Sequence, residues 1–239
     1  LGLARETALA CSLPLSIPDL PLELDAAGPE VLVPIDIEDS EHCWLYSGRV
    51  ITGVKIGPSP MRLRHRLHAV GVRPISNIVD VTNYILFECG QPLHSFDMDK
   101  LEGGRIVVRR AQEGDTFTTL DGQERALTAA DLCIRDGARA VALAGVMGGL
   151  NSEIKDTTTQ LLFESAKFAR DNIRKTARGL GQNTDASSHY EKGISEYTTE
   201  LGMARALHLI QELGCGEVTS THFDCSAGAP REGKRFTAK

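Results

Sequence analysis

Hydrophobic and polar positions follow no sustained period over the first 40 residues. The pattern there predicts only a short helix over residues 2–10, after which Pro14, Pro18 and Pro21 forbid a regular element. From Cys43 the pattern changes. CWLYSGRVITGVKIG alternates and is rich in β-formers, which predicts one strand or two. In GPSPMRLRHRLHAVG, Ser59 as N-cap, Pro60 at the first helical position and Gly71 as a stop bracket a helix. A second helix is predicted over SNIVDVTNYILFECG, closed by Gly90.

Short strands follow: RIVVRR, a hairpin in TFTTLDGQERAL turning at Asp121-Gly122, DLCIRD, RAVALAG and LLFESAKF. Helices return with ARDNIRKTARGLG and with SEYTTELGMARALHLIQELGCG, where Leu201, Ala204, Leu207, Leu209, Ile210 and Leu213 approach a helical stripe. EVTSTHFD is a final strand. Strands and helices without strict βαβ alternation predict an α+β fold, with mixed, largely antiparallel sheets and packed helices.

Composition and charge narrow the function classes. With 239 residues, 41% hydrophobic, the chain is long enough for one large domain or two small ones with a real core. No stretch approaches 18 consecutive apolar residues, so no membrane span is predicted. The six cysteines lie scattered without a CxxC pair, which predicts reduced, mostly buried thiols and a cytoplasmic home. Cys215, His222 and Cys225 have no fourth ligand at a suitable spacing, so no metal site is expected. A net charge of −6 argues against a protein that grips nucleic acid over its whole surface. The charge is uneven, however. Arg62, Arg64, Arg66 and Arg73 lie in a stretch without acids, and from Glu164 to Arg178 five basic residues face two acidic ones. Such local basic faces suit a partner that touches at one end; each alone reads first as an ordinary solvated helix face.

Four segments place polar or glycine-rich elements against apolar neighbours. In Gly90–Asp97, His94 follows a turn stiffened by Pro92. In Val141–Gly149 an apolar strand runs into Gly145, Gly148 and Gly149, which permits close approach to the backbone but lacks a nucleotide-loop signature. In Leu161–Ala166, Glu164 lies within an apolar strand, costly to bury without a partner. It either faces solvent on an edge or sits in a pocket. Alternation puts it on the face of Leu162 and Ala166, which favours the pocket. Asn183–Ser188, with Thr184, Asp185 and Ala186, reads as a loop or a helix N-terminus.

In order along the chain, IVDVTNYILFECGQPLHSFD, LEGGRIVVRRAQEGDTFTTLDG, ALAGVMGG, LLFESAKF and NTDASSHYEKG resemble the B3/B4 region of the bacterial phenylalanyl-tRNA synthetase β subunit. The likeness runs from Ile78 to Gly193 and, more loosely, over residues 43–215. It implies a single compound domain of that type at 41–227, a lead-in at 1–40 from a preceding region, a tail or linker at 228–239, and a chain that is part of a longer subunit. It also implies an editing function: hydrolysis of tyrosine wrongly esterified to phenylalanine tRNA. The family's pocket pattern falls on Arg73, Pro92, His94, Gly145, Gly148, Glu164, Thr184 and Ala186. Glu164 is then the acceptor for the tyrosine phenol, His94 and Thr184 hold the water or terminal ribose by the ester, and Arg73 steadies the acceptor end. Implied partners are the tRNA acceptor end, tyrosine and the α subunit in an (αβ)2 heterotetramer. The resemblance implies no cofactor in this region, with ATP and magnesium belonging to the parent ligase. The competing expectations are a non-catalytic module for acceptor-end binding and α-subunit packing, and a stand-alone nucleic-acid-binding protein.

Overall fold

A computed structural model describes residues 1–16 and 29–226; Pro18, Pro21 and the expected tail at 228–239 lie outside them. In chain order the elements are α1 (Gly2–Ala10), β1 (Ile35–Ile37), β2 (Cys43–Thr52), α2 (Met61–Ala69), α3 (Asn77–Cys89), β3 (Leu93–Asp97), β4 (Ile106–Arg110), β5 (Thr116–Thr118) and β6 (Glu124–Ala126). They continue with β7 (Leu132–Arg135), β8 (Ala140–Leu143), β9 (Met147–Gly148), β10 (Leu161–Phe168), α4 (Arg170–Gly179), α5 (Asp185–Lys192), α6 (Glu196–Leu213) and β11 (Glu217–Ser226).

Two sheets carry the fold. One has the order β11-β2-β10-β3 and is antiparallel throughout. The other has the order β1-β4-β7-β8-β9, antiparallel except for the β1–β4 pair. The expected α+β class with largely antiparallel sheets is what the chain adopts. The stretch before residue 41 joins the body: Val33 is buried in the core and β1 pairs with β4.

β10 explains why LLFESAKF is apolar on both faces. It runs between β2 and β3, away from either edge of its sheet. Leu162 and Ala166 pack into a core shared with the five-stranded sheet, α4 and α5. Leu161 and Phe163 face the opposite way, into a second core formed with α2, α3 and α6. A strand buried on both sides needs hydrophobic residues at every register position, not at alternate ones. Phe163 is wholly buried, so Phe163→Ala is expected to destabilise the protein by about 3–5 kcal/mol in urea unfolding.

Several expected boundaries hold. α3 ends where Gly90 takes a left-handed conformation at φ 79°, and Gly122 at φ 77° closes the β5–β6 hairpin. The stretch where one strand or two was expected is the single strand β2, ending at Thr52. Two local expectations are corrected. α2 starts one residue late, with Pro60 in extended conformation at its N-cap and the Ser59 hydroxyl buried without a partner among the described residues. The His94 segment, read from the sequence as following a turn and not counted among the predicted strands, is the strand β3, because the β10 backbone supplies a ladder from Leu161↔Asp97 to Ser165↔Leu93. No helix among the described residues is long and apolar enough to cross a membrane, and all six cysteines are free thiols.

Candidate functional site

The site is assembled by the β3–β10 ladder. Glu164 of β10 lies directly opposite His94 of β3 and, on its other side, opposite Gly48 of β2. Residues opposite one another share a face of the sheet, so carboxyl and imidazole both face the core side that Leu162 marks. The turn before β3 is pinned by the buried Gln91, whose side-chain amide donates to the carbonyls of Pro92 and Ala166, 3.1 Å each.

Glu164 is only 6% exposed. Its Oε2 accepts a hydrogen bond of 2.7 Å from the hydroxyl of the wholly buried Tyr46. Burial pushes the Glu164 carboxyl up to about 7, against the pull of the Tyr46 bond. His94 stands edge-on to Phe96, with ring centres 4.6 Å apart. The protein packed around its half-buried ring pushes the imidazole down to about 4. Near neutrality the site therefore holds an uncharged imidazole beside a carboxyl close to half ionised.

The glycines fit because protein side chains press on them. A Cβ on Gly148 would lie 2.4 Å from Cε1 and 2.7 Å from Nε2 of His94. Gly145, at φ 65°, has Tyr190, Ile173 and Phe168 close over the face where a side chain would project. The sequence suggested room for a ligand; close packing supplies an equally direct reason for both glycines.

Six of the expected residues come together: Pro92, His94, Gly145, Gly148, Glu164 and Ala186 line one pocket of about 60 Å³. Arg73 and Thr184 are not among its lining residues. Arg73 lies exposed in the loop after α2. The Thr184 hydroxyl is committed elsewhere: it donates to the carbonyl of Val146 at 2.8 Å and accepts from the backbone N–H of Ser187 at 3.1 Å. Thr184 thus caps α5 and ties that helix to the glycine turn. Sequence reasoning missed Met147 and Tyr190 in the wall, and Tyr46 behind Glu164. Tyr190 donates its hydroxyl to the carbonyl of Ala166 at 3.1 Å, which holds α5 against β10. A second polar cluster, Asp39, Glu41 and His42, brings three possible ligand atoms within 4.8 Å. Arg110 already occupies it, with Nε 2.6 Å from Asp39 and a guanidinium nitrogen 3.5 Å from Glu41.

The opposite shifts of Glu164 and His94 act on stability with opposite signs. The carboxyl titrates at about 7 folded against 4.5 unperturbed, so its contribution is complete below pH 4.5 and is lost as pH rises towards 7. The imidazole, at about 4 folded against 6.5, contributes fully above pH 6.5 and loses that contribution as pH falls towards 4. Glu164→Gln is therefore expected to gain stability over the unmodified protein as pH rises from 4.5 to 7. The gain should approach roughly 3 kcal/mol, at about 1.4 kcal/mol per pH unit. Urea unfolding of both proteins across that range measures it; a constant difference would contradict the burial of the charge.

Two sheets enclosing a buried carboxylate, an uncharged imidazole and a glycine turn define an α+β domain with a small polar-based pocket. The chain belongs to the B3/4 domain family, whose model matches residues 42–215. It is 55% identical over 216 residues to the phenylalanine–tRNA ligase beta subunit of Oleidesulfovibrio alaskensis, covering 90% of this chain and 27% of that protein. It is 49% identical over 224 residues to the corresponding subunit of Geobacter sulfurreducens, covering 94% and 28%. The fold is also similar to a crystal structure of an N-terminal fragment of the phenylalanyl-tRNA synthetase beta subunit from Pyrococcus horikoshii. That match has a TM-score of 0.55 at 10% identity and covers 93% of this chain and 61% of that one. The chain thus spans little more than a quarter of the curated relatives it matches.

Proposed function

We propose that this pocket hydrolyses the ester of tyrosine mischarged onto phenylalanine tRNA, the editing step of a phenylalanine–tRNA ligase. The observation that carries the reading is the placement of Glu164 and His94 opposite one another in a single pocket. The names of the relatives supply the tRNA and its cognate phenylalanine, and tyrosine follows as the near-isostere to be rejected. A synthetic site shaped for phenylalanine rejects an isostere with one added hydroxyl only weakly, so fidelity needs a second site that rewards that hydroxyl.

Tyr46 satisfies Oε2 of Glu164 and leaves Oε1 for the ligand. Ionised, that oxygen accepts the phenol O–H; protonated, the carboxyl donates to the phenol oxygen. Both states recognise a para-oxygen and neither finds a partner on phenylalanine. His94, uncharged at neutral pH, is too weak a base to drive the reaction alone. Its role is to position the attacking water, assisted by the vicinal ribose hydroxyl. Water adds to the ester carbonyl, the carbon–oxygen bond to the ribose breaks, and the ribose oxygen takes up the proton. Thr184 acts by fixing the glycine turn through Val146, and Arg73 reaches the acceptor end from outside the pocket. The pocket is smaller than a cavity of about 150 Å³ that takes a benzene ring. The half-buried, flexible Met147 side chain therefore swings aside on entry.

In this reading the region works within a cytoplasmic ligase whose α subunit, ATP and magnesium serve the synthetic site. Incubating the protein separately with tyrosyl and phenylalanyl esters of phenylalanine tRNA tests it. Faster release of tyrosine than of phenylalanine is expected. Equal rates, or no release above the uncatalysed rate, would leave only a binding and packing module.

A further inference from the structure

We infer that the outer face of α4 is the track on which the phosphates of the RNA strand lie as its esterified end enters the pocket. This inference rests on the deacylase reading above. Arg170, Arg174 and Arg178 recur every fourth residue, so they form one row along the helix, and all three are exposed with Lys175 beside them. The helical rise sets them ~6 Å apart along the axis, which is the scale of neighbouring phosphates on a nucleic-acid strand. Asp171 is the only acid on the helix. Elsewhere Arg49, Arg105, Arg110, Arg125 and Arg135 each hold a carboxylate. No carboxylate pairs with Arg170, Arg174, Lys175 or Arg178 among the described residues. The row therefore presents uncompensated positive charge on a chain whose net charge is −6.

The other face of α4 is fixed. Ile173 and Ala177 are buried in the core beside the pocket. The Thr176 hydroxyl donates to Asp131 at 2.7 Å, and the Asn172 amide donates to the carbonyl of Ala130 at 2.7 Å. The helix is also next to the pocket. Ile173 Cδ1 lies 3.1 Å from where a Cβ of Gly145 would sit. Arg170 Nε donates to the carbonyl of Glu191, 3.1 Å away on α5, the helix that supplies Ala186 and Tyr190 to the wall. A strand lying along the row therefore ends beside the pocket. Guanidinium suits this task, because its planar fork matches phosphate oxygens.

The test is the salt dependence of binding to uncharged-end phenylalanine tRNA, for the protein and for the double variant Arg174→Gln, Arg178→Gln. Two lost phosphate contacts are expected to reduce the slope of log K against log salt by about 1.4, at about 0.7 per contact on a single strand. An unchanged slope overturns the inference. So does a slope that falls only when Arg62 and Arg64 on α2 are replaced, which would put the RNA on the other basic helix. A dimer that the double variant dissociates would give the face to a second copy of the chain and also overturns it. Hydrolysis by the unmodified protein of tyrosine esterified to the ribose of adenosine, which keeps the vicinal hydroxyl and carries no phosphate, reports on the pocket alone. Its absence together with a reduced slope would defeat the deacylase reading and leave the RNA track standing.

Discussion

Glu164→Ala is expected to reduce kcat/KM for tyrosyl-tRNA by on the order of 100-fold, through loss of a hydrogen bond to a charged group of about 1.5–3 kcal/mol. Release from phenylalanyl-tRNA should not fall, because phenylalanine has no oxygen for the carboxylate to recognise. The two rates thereby converge, and the loss of discrimination is more diagnostic than loss of rate alone. The fold has reason to survive, since the substitution removes a carboxyl whose charge is unfavourable where it stands. It leaves the Tyr46 hydroxyl without its acceptor. Glu164→Gln restores an acceptor there and serves as the companion variant with its packing retained. Steady-state deacylation on both esters, with far-UV circular dichroism as the control, measures the effect. Undiminished tyrosine release from Glu164→Ala would exclude this carboxylate as the discriminating group.

The second large effect is steric. In Gly148→Ala the new methyl would sit 2.4 Å from Cε1 of His94 and 3.1 Å from Leu120 Cδ1, and the imidazole must move. The Gly148 backbone does not adopt a positive φ, so the strain comes from the neighbours and not from the alanine conformation. A displacement near 1 Å at a reacting centre costs on the order of 100-fold in rate, and forced overpacking costs about 1–3 kcal/mol of stability. Both losses are expected here. Adding His94→Ala removes the obstructing ring, so the double variant should recover stability relative to Gly148→Ala without recovering its rate. A double-mutant cycle in urea would give this coupling directly; additive losses would show that the methyl strains something other than His94.

What was legible in the sequence was what depends on neighbours along the chain. LLFESAKF reads residue for residue as β10, and alternation correctly put Glu164 on the side of Leu162 and Ala166. Gly90 marked the end of α3 because a left-handed residue after a helical run is a local event. The partner of Glu164 was not legible in the same way. β3 is five residues long and begins just after Pro92, so its strand character comes from the ladder that β10 offers and not from its own pattern. Tyr46 lies on β2 among other β-formers, and nothing local marks its hydroxyl as bound for Glu164. Thr184 shows the converse: its place in a capping cluster was visible, but its commitment to the Val146 carbonyl needed the packing of α5 on the glycine turn. The resemblance to a known family supplied the grouping of these residues, which their spacing could not.

The most direct measurement is a crystal structure of the protein with tyrosine bound. The account predicts the phenol oxygen within about 3.2 Å of the Glu164 carboxylate, the amino-acid carbonyl turned towards His94, and Met147 moved out of the pocket. Tyrosine bound with its phenol in solvent, or held away from β10 altogether, would contradict it.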